Sequence, residues 1–322
     1  MTRVVFLLVP RLHLLDLAGP AQVFSTADDL GHPYGITYVS EREDVPTAQG
    51  ITLRAGTDWP VLTPDDLVVV PGWRTRALRE PVGIPGPLLD RLVAHHDAGG
   101  TVASICAGAD ALGRAGLLDG RRCTTHHDVQ DQLARRYPKA HVVRDVLYVT
   151  DGRIITSAGI ASGIDLALHL VALRHGAASA ARVAREMVVF ARRNGDDQQH
   201  SAMLRHRAHL SDAVHHAQDL IDSRYTSVLR LSDLASAVGL SERSLTRHFT
   251  HATGLTPLRY QQELRLEHAE HLIAQGSTVE SAARAVGFQD ARMLRRLRGR
   301  TQPGPGPAPA SAPARTAVPA PA

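Results

Sequence analysis

Two segments of this chain, 48 residues apart, carry one pattern. Residues 231–249 read LSDLASAVGLSERSLTRHF, and residues 279–298 read VESAARAVGFQDARMLRRLR. In each, a short small-residue helix runs into Ala-Val-Gly and an apolar residue. A polar helix start and a second helix with Leu-x-Arg follow. Gly239 and Gly287 hold equivalent places. Glycine accepts the left-handed backbone that lets two helices meet at a steep angle. Leu240 or Phe288 then fills the corner. Each unit is expected to be a helix-turn-helix.

That geometry dictates what the first unit can do. Leu245 and Phe249, spaced i, i+4, fix its second helix to the scaffold. The opposite face carries Ser241, Arg243, Ser244, Thr246 and Arg247. A helix of this width fits the DNA major groove, where a paired arginine–guanine contact gives ~1–3 kcal/mol of discrimination. Ser241 and the first helical amides are placed for a phosphate. Thr256 with Pro257 reads as an N-cap followed by proline at the first helical position. The helix it starts runs to about Ala274 and, at ~1.5 Å per residue, spans roughly 27 Å. That approaches the ~34 Å of one DNA turn, so two recognition helices would enter successive groove segments on one face. Further helix heads are expected at Ser232 and Ser277, the latter forming a capping box with Glu280.

Charge points the same way. Residues 1–200 hold 21 basic and 22 acidic residues, a net of −1, and residues 201–322 hold 15 and 10, a net of +5. A positive part attached to a near-neutral one suits a polyanionic partner. Residues 303–322 contain seven prolines and seven alanines. Such a segment buries little apolar surface and is expected to be disordered.

The first ~175 residues read differently. VVFLLV and LVVV are apolar without alternation, the pattern of parallel strands covered on both faces by helices. Strands are expected at Val4–Val9, Ile36–Val39, Leu67–Val70, Thr101–Ile105, Leu147–Val149 and Ile154–Thr156, the last two joined by an Asp151-Gly152 hairpin turn. Helices are expected at Ala21–Leu30, Leu88–Ala98, Ala109–Ala115, Val129–Arg135 and Ile164–His175. A further helix is expected to begin near residue 177 and end near Asn194-Gly195. TVASIC runs into Cys106, then Ala-Gly-Ala and a helix, the arrangement of a nucleophile elbow. That turn would expose the thiol at the carboxyl edge of the sheet, where ligands of α/β folds bind. A helix N-terminus there would favour thiolate. No apolar run approaches the ~20 residues that cross a bilayer, and the six-residue run Val4–Val9 is short for a signal peptide. We expect a cytoplasmic protein with no membrane partner. Two cysteines are too few for a disulfide scaffold.

The stretches LASAVGLSERSLTRHFTHATGLTPLRYQQELRLEHAEHLI and AARAVGF resemble the AraC/XylS transcription regulators over about residues 212–298. By that resemblance Arg243, Thr246 and Arg247 are base contacts, and Ala291, Arg292, Arg295 and Arg296 form the matching face of the second unit. The family places an aromatic core residue late in the second recognition helix, then a closing helix. Here Leu297 or Arg298 stands at that place and GRTQPGPGPAPA follows. The stretches VVFLLVPRLHLLDLAGPAQVF, VASICAGADALGRAGLLDGRRCTTHHDV and DVLYVTDGRIITSAGIASGIDLALHLV resemble the ThiJ/PfpI superfamily, related in fold to class I glutamine amidotransferases. Together the halves resemble GlxA-family regulators. The resemblance implies a flavodoxin-like parallel-sheet sandwich over residues 1–195, a linker at 196–211, an all-α double helix-turn-helix domain at 212–300 and a disordered tail at 301–322.

Enzymatic relatives in that superfamily commonly place a histidine directly after the cysteine, or an acid near its sulfur. Here the residue after the cysteine is Ala107. Asp16, in the LLDLAGP loop, supplies a candidate acid, and His126 is expected near the same strand ends. We expect a degenerate site, no enzyme, that senses a small-molecule effector or serves dimerisation. A hydrolase or hydratase using Cys106 is the alternative. Promoter DNA and a second copy of the chain are the expected partners. No cofactor is expected, and no metal: His95-His96, His126-His127 and His215-His216 are neighbours that do not share a helix face.

Overall fold

The apolar runs form the centre of a six-stranded sheet among the residues described in this computed structural model, which are 1–75, 78, 84–189, 193–199, 201–207, 209–274 and 276–301. β1 (Thr2–Leu7) leads through α1 (Leu14–Asp29) to β2 (Tyr34–Val39). The small hairpin of β3 (Asp44–Pro46) and β4 (Thr52–Arg54) follows, then β5 (Leu67–Val70), α2 (Gly86–Asp97) and β6 (Thr101–Ile105). Next come α3 (Ala109–Arg114), β7 (Arg122–Cys123), α4 (Gln130–Arg136) and β8 (His141–Val142). β9 (Tyr148–Asp151), β10 (Ile154–Ser157), α5 (Ser162–His175) and α6 (Ala177–Glu186) complete this part. The strand order is β2-β1-β5-β6-β10-β9, all parallel except β9, which turns into β10 through the expected Asp151-Gly152 hairpin with Gly152 at φ 60°. β5 and β10 are buried at every residue, as strands covered on both faces must be. α1, α5 and α6 pack on one another, and α2 packs on α3. Because β2 lies to one side of β1 while β5 and β6 continue on the other, right-handed crossovers put α1 and α2 on opposite faces. This is the flavodoxin-like arrangement expected from the sequence.

Three expectations need correction. The first helix begins at Leu14, not Ala21, with Pro20 inside it. Pro20 offers no N–H to the Asp16 carbonyl, and a proline in the second turn reads in sequence as a boundary. Asp16 therefore lies in a helix's first turn and not in a loop. The helix after residue 177 ends at Glu186, because Met187-Val188-Val189 places β-branched residues in succession and Val188 adopts φ 54°. The hairpin of β3 and β4 had no strand signal long enough to detect.

The chain divides at Gln199 into two units. The second is helical throughout its described residues: α7 (Ala202–Arg205), α8 (Asp212–Arg224), α9 (Leu231–Ala237), α10 (Glu242–Thr253), α11 (Pro257–Ala274), α12 (Val279–Ala285) and α13 (Ala291–Thr301). One core gathers Val214, Ile221, Leu234, Leu245, Phe249 and Tyr260, and a second gathers Ala269, Ala282, Val286, Phe288, Leu294 and Leu297. Tyr225 packs against both. Arg265 of α11 ties the two motifs together. Its guanidinium donates to the carbonyls of Tyr225 (2.6 Å), Ser227 (2.7 Å) and Gly287 (2.9 Å). Two helix heads shift. α9 starts after Arg230 and not at Ser232, and α12 is capped by Thr278, whose hydroxyl accepts from the Ser281 amide, and not by Ser277. The hydroxyl one residue later has the extended backbone that a cap requires, φ −66° and ψ 154°. The Pro/Ala tail expected to be disordered lies, from residue 302 on, outside the described residues.

The repeated glycines meet different surroundings. Gly239 has φ 68° with nothing near its absent side chain, whereas a Cβ on Gly287 (φ 87°) would stand 1.9 Å from the Thr226 carbonyl oxygen. Gly239→Ala is expected to cost ~1–2 kcal/mol, the penalty of a left-handed backbone alone. Gly287→Ala carries a further ~1–3 kcal/mol from the clash. Urea unfolding of the two variants checks the order. Equal costs would contradict the packing of α12 against the α8–α9 connection.

Candidate functional site

The first candidate site forms where β6 ends. Cys106 has φ 54°, a left-handed conformation that costs a non-glycine residue of order 1–3 kcal/mol and is held only by surrounding structure. Small neighbours make the turn possible. A Cβ on Gly108 would stand 2.2 Å from the Val70 carbonyl oxygen of β5. The Thr125 hydroxyl donates to the Cys106 carbonyl at 2.7 Å. Two glycines from other loops then close over the thiol. A Cβ on Gly72 would lie 2.5 Å from both Asp16 Oδ2 and Cys106 Cβ, and one on Gly159 would lie 2.4 Å from Cys106 Cβ. Asp16 Oδ2 and Cys106 Cβ are therefore within twice 2.5 Å of each other. The fold brings Asp16 and Cys106 together, as the sequence suggested.

The electrostatics differ from the expectation. Asp16 is fully buried, and among the described residues neither carboxyl oxygen has a hydrogen bond of good geometry, although the Gly72 amide lies close by. Burial pushes its pKa up to about 7, against a smaller opposing pull from the Gly72 amide. Burial, then the charge of Asp16, push the Cys106 thiol upward as well. This corrects the expectation of a thiolate. Cys106 opens a three-residue 3-10 turn, and α3 starts only at Ala109; the Ala107 amide favours thiolate, but burial and the Asp16 charge outweigh it. Near neutrality the pair is an acid in mid-titration beside a protonated thiol. His126 lies one residue beyond Thr125, with Nδ1 accepting from the Asp128 amide at 3.3 Å. The structure thus puts it on the loop beside the elbow.

The second candidate site is the outer face of α10. Ser241 caps it, its hydroxyl accepting from the Ser244 amide at 3.2 Å. Leu245 and Phe249 are fully buried. Arg243 and Arg247, one turn apart, are exposed, and among the described residues neither guanidinium has a hydrogen bond or ion pair. Ser244 is partly buried and hydrogen-bonded to Ser241. Thr246 is also partly buried, and its hydroxyl turns back to the Glu242 carbonyl at 2.9 Å. His248, Thr250 and His251 are exposed beside the arginines and were missed. Continuing i+3 and i+4 from Arg247 would have found Thr250 and His251.

In α13, Asp290 supplies the cap, accepting from the amides of Arg292 (2.7 Å) and Met293 (3.2 Å). Leu297 takes the late core position and is 7% exposed. Arg292, Arg295 and Arg296 are exposed and Ala291 is partly buried. Arg295 pairs with Glu280, and the Arg296 guanidinium approaches Met293 Sδ at 3.2 Å.

Comparison with known proteins agrees with this architecture. The model of the DJ-1/PfpI family matches residues 2–173, and that of a helix-turn-helix domain matches residues 234–301. The HTH-type transcriptional regulator CdhR of Pseudomonas aeruginosa is 31% identical over 232 residues, 71% of this chain and 67% of that protein. An isonitrile hydratase of Pseudomonas putida is 35% identical over 179 residues, 51% of this chain and 68% of the enzyme. A solved AraC family transcriptional regulator from Pseudomonas putida is 26% identical with a TM-score of 0.50, covering 58% of this chain and 100% of that one. Regulator and enzyme both occur among the relatives, so the first unit's fold alone does not decide between them. No helix among the described residues is long and apolar enough to cross a membrane. The chain belongs to the DJ-1/PfpI family and, with its AraC-type helix-turn-helix domain, is a DNA-binding transcriptional regulator.

Proposed function

We propose that the protein reads promoter DNA through α10, with Arg243 and Arg247 on base edges and Ser241 at a phosphate. The observation that carries this reading is the pair of exposed arginines lying opposite the buried Leu245 and Phe249. Arg292 and Arg296 extend the contact from α13, while Arg295 is drawn toward Glu280. The first unit takes a small-molecule effector at the Asp16–Cys106 site and turns nothing over. Two buried carboxyl oxygens without partners suit a ligand that brings a donor. A protonated thiol followed by Ala107, with no histidine there to take its proton, is a poor nucleophile.

The alternative is a cysteine hydratase or hydrolase, favoured by the likeness to isonitrile hydratase and by the nearness of Asp16 to Cys106. Turnover of isonitriles or amides that is lost in Cys106→Ala would establish it instead. The regulator acts as a homodimer, whose paired half-sites raise affinity through effective concentration. A monomer across micromolar concentrations in sedimentation would contradict this.

Selection of bound sequences from a random duplex pool by the full chain tests the DNA reading. One recurrent motif is expected, with affinity falling steeply as salt rises through counterion release. Recovery of random sequence at moderate salt would defeat it.

A further inference from the structure

The loop between β7 and α4 carries three consecutive donors that the functional reading leaves unused. On a continuous helix His126 and His127 would diverge by about 100°. Here His126 is extended, with φ −56° and ψ 138°, and a short 3-10 turn begins only at His127. That change of backbone brings the rings together, with centroids 4.1 Å apart. The bar on helical neighbours therefore does not apply to this pair. Both Nδ1 atoms face the Asp128 carboxylate: Oδ1 is 3.0 Å from that of His127, and Oδ2 is 3.7 Å from that of His126. One donor atom from each residue lies within 4.8 Å of the others. Ligands around a tetrahedral ion with bonds of ~2.0–2.2 Å stand roughly 3.3–3.5 Å apart. The two separations, each to a different oxygen of the one carboxylate, lie on either side of that spacing, so a small closing of the loop brings the three donors onto one ion. The side chains of His126, His127 and Asp128 are 25%, 38% and 74% exposed, so an ion can enter and keep water in its fourth position.

We propose that His126, His127 and Asp128 form a site for a divalent transition-metal ion of the zinc or nickel class. Two imidazoles with one carboxylate suit those ions, whereas magnesium and calcium take all-oxygen sets. The ion takes the place of the direct His127–Asp128 contact, each ring offering Nδ1 as a neutral imidazole with its proton on Nε2. It also replaces the long 3.3 Å hydrogen bond from the Asp128 amide to His126 Nδ1. The loop's attachments give the ion a reach. The His127 amide donates to Gln199 Oε1 at 2.9 Å, and Gln199 Nε2 donates to the carbonyls of Thr125 (3.0 Å) and Val146 (3.1 Å). Gln199 is the last residue of the first unit, and Thr125 holds the Cys106 carbonyl. An ion that fixes His127 therefore stiffens both the elbow's support and the segment that leads into the DNA-binding unit.

Equilibrium dialysis of the full chain against Zn²⁺ and Ni²⁺, with Mg²⁺ as competitor, tests the site. One ion per chain is expected, not displaced by Mg²⁺. His127→Ala and Asp128→Asn should each weaken it roughly 10-fold or more, since even supporting groups around a metal carry 10–100-fold. His268→Ala, on α11 of the second unit and three residues before His271, should leave it unchanged. No uptake at millimolar metal overturns the proposal. So does uptake indifferent to His127→Ala, or uptake that instead requires Cys106 or His268. Metal uptake is read without DNA, so failure of the promoter reading and failure of this site are separate results.

Discussion

Asp16→Asn stabilises the protein at pH 8 and leaves its stability nearly unchanged at pH 4. The unfolded chain releases the Asp16 proton near pH 3.8, while the folded protein holds it to about pH 7 because the carboxyl is fully buried. The sign follows from linkage. A raised folded pKa contributes stability that is complete below the unfolded value and is lost as pH climbs through the folded one. Across that window of about three units the loss is about 4 kcal/mol, at 1.36 kcal/mol per unit. Asparagine keeps the volume and cannot ionise, so the loss disappears. For a domain of roughly 200 residues, ~2–4 °C per kcal/mol converts this to a rise on the order of 10 °C in the midpoint at pH 8. Thermal melts at the two pH values check it, and an equal response to pH in both proteins would refute it. The substitution also removes the charge that raises the Cys106 thiol. Alkylation of Cys106 at pH 8 should therefore quicken. A buried carboxyl with both oxygens unpaired costs stability, and the proposed effector, by bringing a donor, would offset that cost.

How much of this was legible in the sequence depended on how local the cause was. β5 and β6 fall where the apolar runs place them, residue for residue, because burial on both faces leaves no alternation to misread. The Gly239 and Gly287 turns were legible because one residue type supplies the backbone angle. Cys106 and Asp16 were each visible, but their protonation was not. It is set by burial under Gly72 and Gly159, two glycines that approach from loops far apart in the chain. The length of α1 was hidden by Pro20, and the convergence of His126 and His127 by a backbone turn that no residue there announces. On α10 the outward arginines followed from helical periodicity, yet Thr246 did not. Its hydroxyl finds the Glu242 carbonyl four residues back, the competing bond that threonine commonly makes inside helices.

Replacing both Arg243 and Arg247 by alanine abolishes specific binding, and the two single variants separate base reading from charge. A bidentate arginine–guanine contact carries ~1–3 kcal/mol, so each single variant loses roughly 5- to 150-fold on the selected site. If the two contacts are independent, the double variant loses roughly 25- to 2×10⁴-fold. A guanidinium that only touches phosphate would instead weaken all sequences alike and lower the salt slope by about one. Arg247→Ala is therefore expected to relax preference at one or two adjacent positions while leaving binding to random duplex comparatively intact. Neither substitution touches the core, since Leu245 and Phe249 carry the packing and both arginines are exposed. Unchanged melting would thus accompany the lost affinity. Arg295→Ala provides the contrast. Its guanidinium is paired with Glu280 and must leave that partner to reach DNA, so its removal is expected to cost less than that of Arg247. Fluorescence anisotropy on the selected duplex and on a scrambled one, at two salt concentrations, reads every term. Equal losses on both duplexes for Arg243→Ala and Arg247→Ala would mean that α10 holds the backbone and that another element reads the bases.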